Sequence, residues 1–191
     1  MNTHIESANT RMKAASILTL AAGMFFLSSA ALEAQIGLAV EGRTGVTFPQ
    51  GDLSDFGGEA GLSLGAEVQV NLHQHFTVYG GFYRHGFSCE TACTMGSDPR
   101  SVGLNGGLKV NLHNPGDVNL WARGGVVSNK METDAGANNR ELGYELGLGA
   151  DVPIASRIAL VPHVGYISHK ASESFRPQFF TLGLGIHFHI N

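Results

Sequence analysis

Apolar and polar residues alternate through most of the chain after position 34. In segment 59–72, Ala60, Leu62, Leu64, Ala66, Val68, Val70 and Leu72 interleave with Glu59, Gly61, Ser63, Gly65, Glu67, Gln69 and Asn71. Segment 141–154 repeats the pattern with Leu142, Tyr144, Leu146, Leu148, Ala150, Val152 and Ile154. Segment 101–112 does so with Val102, Leu104, Leu108, Val110 and Leu112, and the last segment with Phe180, Leu182, Leu184, Ile186, Phe188 and Ile190. Successive side chains of a strand face opposite sides, so each segment predicts a strand with one apolar face. Helical phasing fails in all four, and each interior glycine would cost a helix about 1 kcal/mol. Segments 35–48, 75–87, 117–128 and 157–169 read as strands too, which makes eight. At about 11–14 residues each, they exceed the usual strand length of about 5–6.

The spacing of these segments has its own period. Val70-Asn71-Leu72-His73 recurs as Val110-Asn111-Leu112-His113, each at the end of an alternating segment, and Ala150-Asp151-Val152-Pro153 falls at nearly the same phase. Repetition at that interval marks a modular up-and-down architecture. Connections alternate as well. Short ones fall at 73–74, 114–116 and 155–156, and long ones at 49–58, 88–99, 129–139 and 170–176. Short turns at one end and long loops at the other describe an all-β, eight-stranded antiparallel up-and-down transmembrane β-barrel, whose strands need about 9–11 residues to cross a bilayer.

A soluble eight-stranded barrel would share the periodicity but would be apolar inside. Three features put lipid outside. The apolar face is aliphatic and nearly free of charge. The opposite face is small and polar, which suits a narrow lumen filled by side chains. Aromatic residues of the apolar face sit near strand ends: Phe48, Tyr144, Tyr166 and Phe180 towards the loops, Phe76 and Phe188 towards the turns, as in interfacial girdles.

Composition adds an export route. Residues 14–31 are apolar and small, preceded by Arg11 and Lys13 and followed by Leu32-Glu33-Ala34, the form of a signal peptide over 1–34. Met12 opens a complete signal by itself and is a candidate start; an uncleaved anchor is the alternative. The domain is then 35–191. Charged residues are only 15% of the chain and the net charge is −4, with no basic patch, so nucleic-acid binding is not expected. Glycine occurs 26 times without a Gly-X-Y period, which excludes collagen.

With Gly45-Val46-Thr47-Phe48-Pro49-Gln50-Gly51-Asp52-Leu53-Ser54-Asp55 at the first strand and loop, and the last strand, the chain resembles the small outer-membrane β-barrel family that includes OmpA- and OmpX-like domains. The resemblance covers nearly all of 35–191. It implies a C-terminal assembly signal, carried here by Gly185, Phe188 and Ile190, where Ile190 replaces the usual terminal aromatic and Asn191 follows. It also implies a bacterial outer-membrane location, with the termini periplasmic and the long loops extracellular. The partners implied are outer-membrane lipid, lipopolysaccharide and the insertion machinery, around a monomer. Members differ in function, so no chemistry transfers with the fold.

The lumen is expected to hold Glu41, Arg43, Glu67, Lys109, Arg123, Glu145 and Asp151, which as buried charges must pair. Arg123 is expected to meet Glu145, with Glu41 and Glu67 crossing to Lys109 and Arg43. That predicts a plugged barrel with a structural or surface-interaction role; a narrow pore or small-ligand carrier is the alternative. Cys89 and Cys93 predict a disulfide within the second long loop of an exported protein. His73, His75, His113, His187 and His189 are placed at the turn-side rim, where an amphipathic side chain suits an interface and a metal site is the sharper alternative. No cofactor is expected. A lipid A-modifying enzyme is a further alternative, resting on His85 and Ser88 near one loop and Ser168 and His169 near another, without an assembled nucleophile, base and orienting group.

Overall fold

The computed structural model describes residues 37–89, 98–113, 116–133, 136–137, 139–172 and 175–190. Eight long strands dominate them: β1 (Gly37–Gln50), β2 (Gly61–His73), β3 (Phe76–Gly86), β4 (Arg100–His113), β5 (Asn119–Thr133), β6 (Glu141–Ala155), β7 (Ile158–His169) and β8 (Gln178–His189). Each pairs antiparallel with its sequence neighbours, and β1 pairs with β8, from Ala39 opposite His189 to Gln50 opposite Gln178. The sheet is therefore a closed barrel without a free long edge, the arrangement that lets strands sit in hydrocarbon.

The period-two pattern becomes the wall. On β1, Ala39, Glu41, Arg43 and Thr47 are buried while Val40, Val46 and Phe48 are exposed. On β2, Ser63, Glu67 and Gln69 face in, and Leu62, Leu64 and Val68 face out. The outward set runs round the barrel as an aliphatic band, with Leu62 and Leu142 each 72% exposed. Aromatic side chains border the band at both ends. Phe48 lies opposite Phe180, which lies opposite Tyr166, and the Tyr166–Phe180 and Tyr144–Tyr166 ring centroids are 5.1 and 6.1 Å apart. At the turn end, Phe188 lies opposite Val40 and Ile158, and Phe76 is exposed. A strand tilted by about 40° spans roughly 2.5 Å of bilayer per residue, so strands of this length cover the hydrocarbon with residues to spare.

The segments differ from the sequence reading mainly at the loop end. The expected loop at 129–139 is shorter, because β5 continues to Thr133 and a two-residue strand, Gly136–Ala137, folds back against Glu132 and Thr133. The first long loop holds a single helical turn, α1 (Asp52–Asp55), entered through Gly51 at φ 52°, a left-handed conformation that glycine adopts without penalty. Gly58–Glu59 and Ser88–Cys89 form a small ladder that ties the first two long loops together. The Asp52 carboxylate accepts the Arg176 backbone N–H at 2.9 Å, joining the first loop to the fourth. The leader, Cys93 and the turn positions 114–115 lie outside the described residues, as does the side chain of His113.

Candidate functional site in the barrel interior

Inward positions of the eight strands stack into layers. At the turn end, Lys109 Nζ lies 3.0 and 2.9 Å from the two Asp151 oxygens. Asp151 also accepts from Trp121 Nε1 at 2.9 Å and from Asn119 at 3.2 Å. The indole is 1% exposed and lies beneath two cations, with Lys109 Nζ 4.7 Å and Arg43 Cζ 5.6 Å from its ring.

The middle layer is one connected chain of charges. Arg43 donates to Glu41 and, at 3.1 Å, to Glu67. Arg123 donates to Glu67 at 2.9 Å and reaches Glu145 at 3.4 Å. Neutral donors fill the remaining carboxylate positions. Gln69 donates to both Glu41 and Glu67 at 2.6 Å, Tyr83 to Glu67 at 2.7 Å, Tyr79 to Glu145 at 2.7 Å and Asn105 to Glu145 at 2.9 Å. His187 Nδ1 is 3.3 Å from Glu41 Oε2. Side chains of Glu41, Arg43, Glu67 and Glu145 are at most 3% exposed, so these partners replace water rather than supplement it.

Two corrections to the expected pairing follow. Lys109 does not cross to Glu41 or Glu67; it meets Asp151, because Lys109 pairs in register with Arg123 and the shear of the barrel puts Asp151 at its level. Arg123 meets Glu145 as expected but also Glu67. His187 is not a rim residue. Its position opposite Glu41 on β1 buries it in the network.

Tyr79 and Tyr83, which no sequence signal singled out, fit because glycines face them. A Cβ at Gly65 would come within 2.2 Å of the Tyr83 ring, and one at Gly107 or Gly125 within 2.6 Å of the Tyr79 hydroxyl. The legible signal was an inward aromatic beside inward glycines on adjacent strands, a form of aromatic rescue.

Above the charges, Ser63 Oγ is 2.9 Å from His85 Nδ1, and Ser101 Oγ is 2.9 Å from His169 Nε2. The structure thus pairs His85 with Ser63 on the neighbouring strand and His169 with Ser101 across the lumen, not with Ser88 and Ser168. Asn129 donates to Ser101 at 3.0 Å, and His169 Nδ1 lies 3.3 Å from the Lys170 carbonyl. Both serines are buried, and no carboxylate bonds either histidine among the described residues. Over this layer sits an apolar cap of Leu53, Phe87, Val127, Met131, Ile167, Ala171 and Phe179, with Leu53 contributed by α1. The rings of Phe87 and Phe179 meet edge to face at 5.1 Å.

At the turn end the His73 and His75 rings are 5.4 Å apart, and the ring of His189 lies 4.4 Å from that of the buried His187. Among the described residues, no group of three or more His, Cys, Asp or Glu side chains is placed to hold a metal. In the predicted assembly signal, Gly185 faces the lumen beside Glu41, Phe188 and Ile190 face outward, and the Ile190 N–H donates to the Leu38 carbonyl at 2.8 Å.

Solved structures share this architecture. Neisserial surface protein A (NspA) superposes with a TM-score of 0.66 at 11% identity, over 79% of this chain and 96% of its own. OprG from Pseudomonas aeruginosa gives a TM-score of 0.55 at 12% identity, over 81% of this chain and 96% of its own. At such identities the likeness is one of fold. No curated protein matches the sequence significantly. The family described as "Outer membrane protein beta-barrel domain" matches residues 17–188, and with the closed eight-stranded wall and its apolar outer face, the chain belongs to that family of bacterial outer-membrane barrels.

Proposed function

We propose that the protein is a monomeric, closed outer-membrane barrel whose role is structural or lies in contacts made by its loops, not in conduction. What supports this reading is that inward side chains bond to one another at successive levels of the barrel. The Asp151 cluster joins β4, β5 and β6, while the Glu41–Arg43–Glu67–Arg123–Glu145 chain and the cap around Phe179 draw on strands from around the barrel. An eight-stranded barrel is just wide enough for side chains to fill, and pairs this close hold water and ions out.

The termini are periplasmic and the four long loops extracellular in this reading, since short turns face the periplasm in barrels of this class. A Cys89–Cys93 disulfide stiffens the second loop, and the last strand, with Gly185, Phe188 and Ile190, engages the insertion machinery.

Planar-bilayer recording tests the closed lumen. The parent protein is expected to give no steady single-channel current. A stable open level whose ion selectivity changes in an Arg123→Ala variant of unchanged stability would replace the closed barrel with a narrow pore.

A further inference from the structure

His187 and His189 stand two residues apart on β8, so the strand turns both imidazoles to the lumen and Phe188 to the outside. Their ring centroids are 4.4 Å apart. His187 is buried opposite Glu41 of β1, while His189 is exposed at the turn-side mouth opposite Ala39. Lys109 and Asp151 face His189 across the same mouth. Their ion pair, closed at 2.9 Å, cancels their charges, and the Asp151 side chain is 19% exposed, so the mouth is open to solvent.

His187 is oriented as a metal ligand is. Its Nδ1 is 3.3 Å from Glu41 Oε2, and Arg43 and Gln69 also donate to that carboxylate. A carboxylate held by such donors is ionised and only accepts, so the imidazole proton belongs on Nδ1. Nε2 then presents a lone pair, and among the described residues it is buried without a hydrogen-bond partner. A carboxylate on one ring nitrogen and a metal on the other is the usual setting of a ligating histidine, because the carboxylate fixes both tautomer and ring orientation.

The ring spacing selects the geometry. With a metal–nitrogen bond of about 2.0 Å and the ring centre about 1.1 Å behind the nitrogen, two ligands at a right angle have centroids roughly 4.4 Å apart, and at the tetrahedral angle roughly 5.1 Å. The observed 4.4 Å fits the right angle of a tetragonal site, the preference of Cu²⁺ with nitrogen and oxygen ligands. The other histidine pair lacks this setting. His73 and His75 are both exposed, the His73 Nδ1 accepts the His75 backbone N–H at 3.3 Å, and neither ring is bonded to a carboxylate among the described residues.

We propose that His187 Nε2 and a ring nitrogen of His189 chelate a cupric ion at the turn-side mouth of the barrel, with water in the remaining positions. Solvent reaches His189 from the turn side whether or not the lumen conducts, so the site stands independently of the closed-barrel reading.

The test titrates the untagged chain, refolded in a neutral detergent, with Cu²⁺ buffered by glycine. Trp121, which donates to Asp151 at the same mouth, reports binding through its quenching by the paramagnetic ion. Electron paramagnetic resonance should show an axial cupric signal with superhyperfine coupling from two imidazole nitrogens. His187→Asn keeps a donor towards Glu41 and removes Nε2. It and His189→Ala should each weaken binding about tenfold or more, since loss of even an outer partner of a ligand has that effect. His73→Ala combined with His75→Ala should leave binding unchanged. Heat-dependent gel mobility checks that every variant is folded, and if His187→Asn fails to fold, His189→Ala at the exposed mouth still decides. A signal without coupling from two nitrogens, undiminished binding by folded His189→Ala, or a loss confined to the His73 and His75 variant would each overturn the proposal.

Discussion

Arg123 is the residue on which the interior network turns, and its removal has a calculable cost. Its side chain is 8% exposed and bridges Glu67, 1% exposed, and Glu145, 3% exposed. Without it, Glu67 keeps Arg43 at 3.1 Å, the Tyr83 hydroxyl and Gln69. Among the described residues, Glu145 keeps only the neutral donors Tyr79 and Asn105. The burden therefore falls on Glu145, a buried carboxylate left without a cation, which costs about 3–5 kcal/mol when a pair is broken from one side. Loss of the guanidinium over the Tyr79 ring, 4.9 Å from its centroid, adds about 0.5–2 kcal/mol. Arg123→Met, which keeps the volume, should thus destabilise by about 5 kcal/mol. Arg123→Met combined with Glu145→Gln should be more stable than Arg123→Met alone, because the glutamine oxygen still accepts from Tyr79 and no charge is stranded. Equilibrium unfolding by guanidinium in detergent micelles measures both. Trp121, the sole tryptophan, is buried in the same lumen and reports the transition by fluorescence. An Arg123→Met variant within about 1 kcal/mol of the parent, or a double variant whose loss equals the sum of the single ones, would refute a dry, coupled network.

Other variants probe the wall and its contents. Leu146, 56% exposed on the outer face, changed to Arg should cost about 2–4 kcal/mol near the bilayer midplane, measured by the same unfolding in lipid vesicles. Gly65→Ala should cost about 1–3 kcal/mol, because the new methyl displaces the Tyr83 ring. Gly42→Ala, with nothing within 4 Å of the added carbon, should stay within about 0.5 kcal/mol on the same assay. Trp121→Phe removes the donor to Asp151 and should lower the thermal midpoint by the equivalent of about 1–3 kcal/mol, followed by circular dichroism since the fluorophore is gone.

The wall was legible because a two-sided sheet writes its faces into every other residue. Leu142, Tyr144, Leu146 and Leu148 could face only one way once Glu145 was assigned to the interior, and the aromatics at positions 48, 166 and 180 marked one border of the band. The identities of the lumen residues were legible for the same reason, but their partners were not. Which cation meets which carboxylate depends on barrel shear, a property of eight ladders at once that no single segment encodes; hence Lys109 meets Asp151 and His187 joins Glu41. Tyr79 and Tyr83 escaped notice because an inward aromatic looks misplaced until the glycines on the neighbouring strands are known to lie beneath it. The cap escaped as well, since Leu53 and Phe179 meet only through the folding of α1 over the lumen.

The pairing of β1 with β8 sets an order of events for the making of this molecule. The chain's first and last strands are neighbours, from Ala39 opposite His189 to Gln50 opposite Gln178, and β7 also waits for β8 along the whole of its other side. Until the final strand has been synthesised and delivered, two long edges have no partner, and hydrocarbon offers their N–H and C=O groups nothing in exchange. Strand-by-strand entry from the N-terminus is thereby blocked. The ring therefore closes only when the last-made strand has found both of its neighbours.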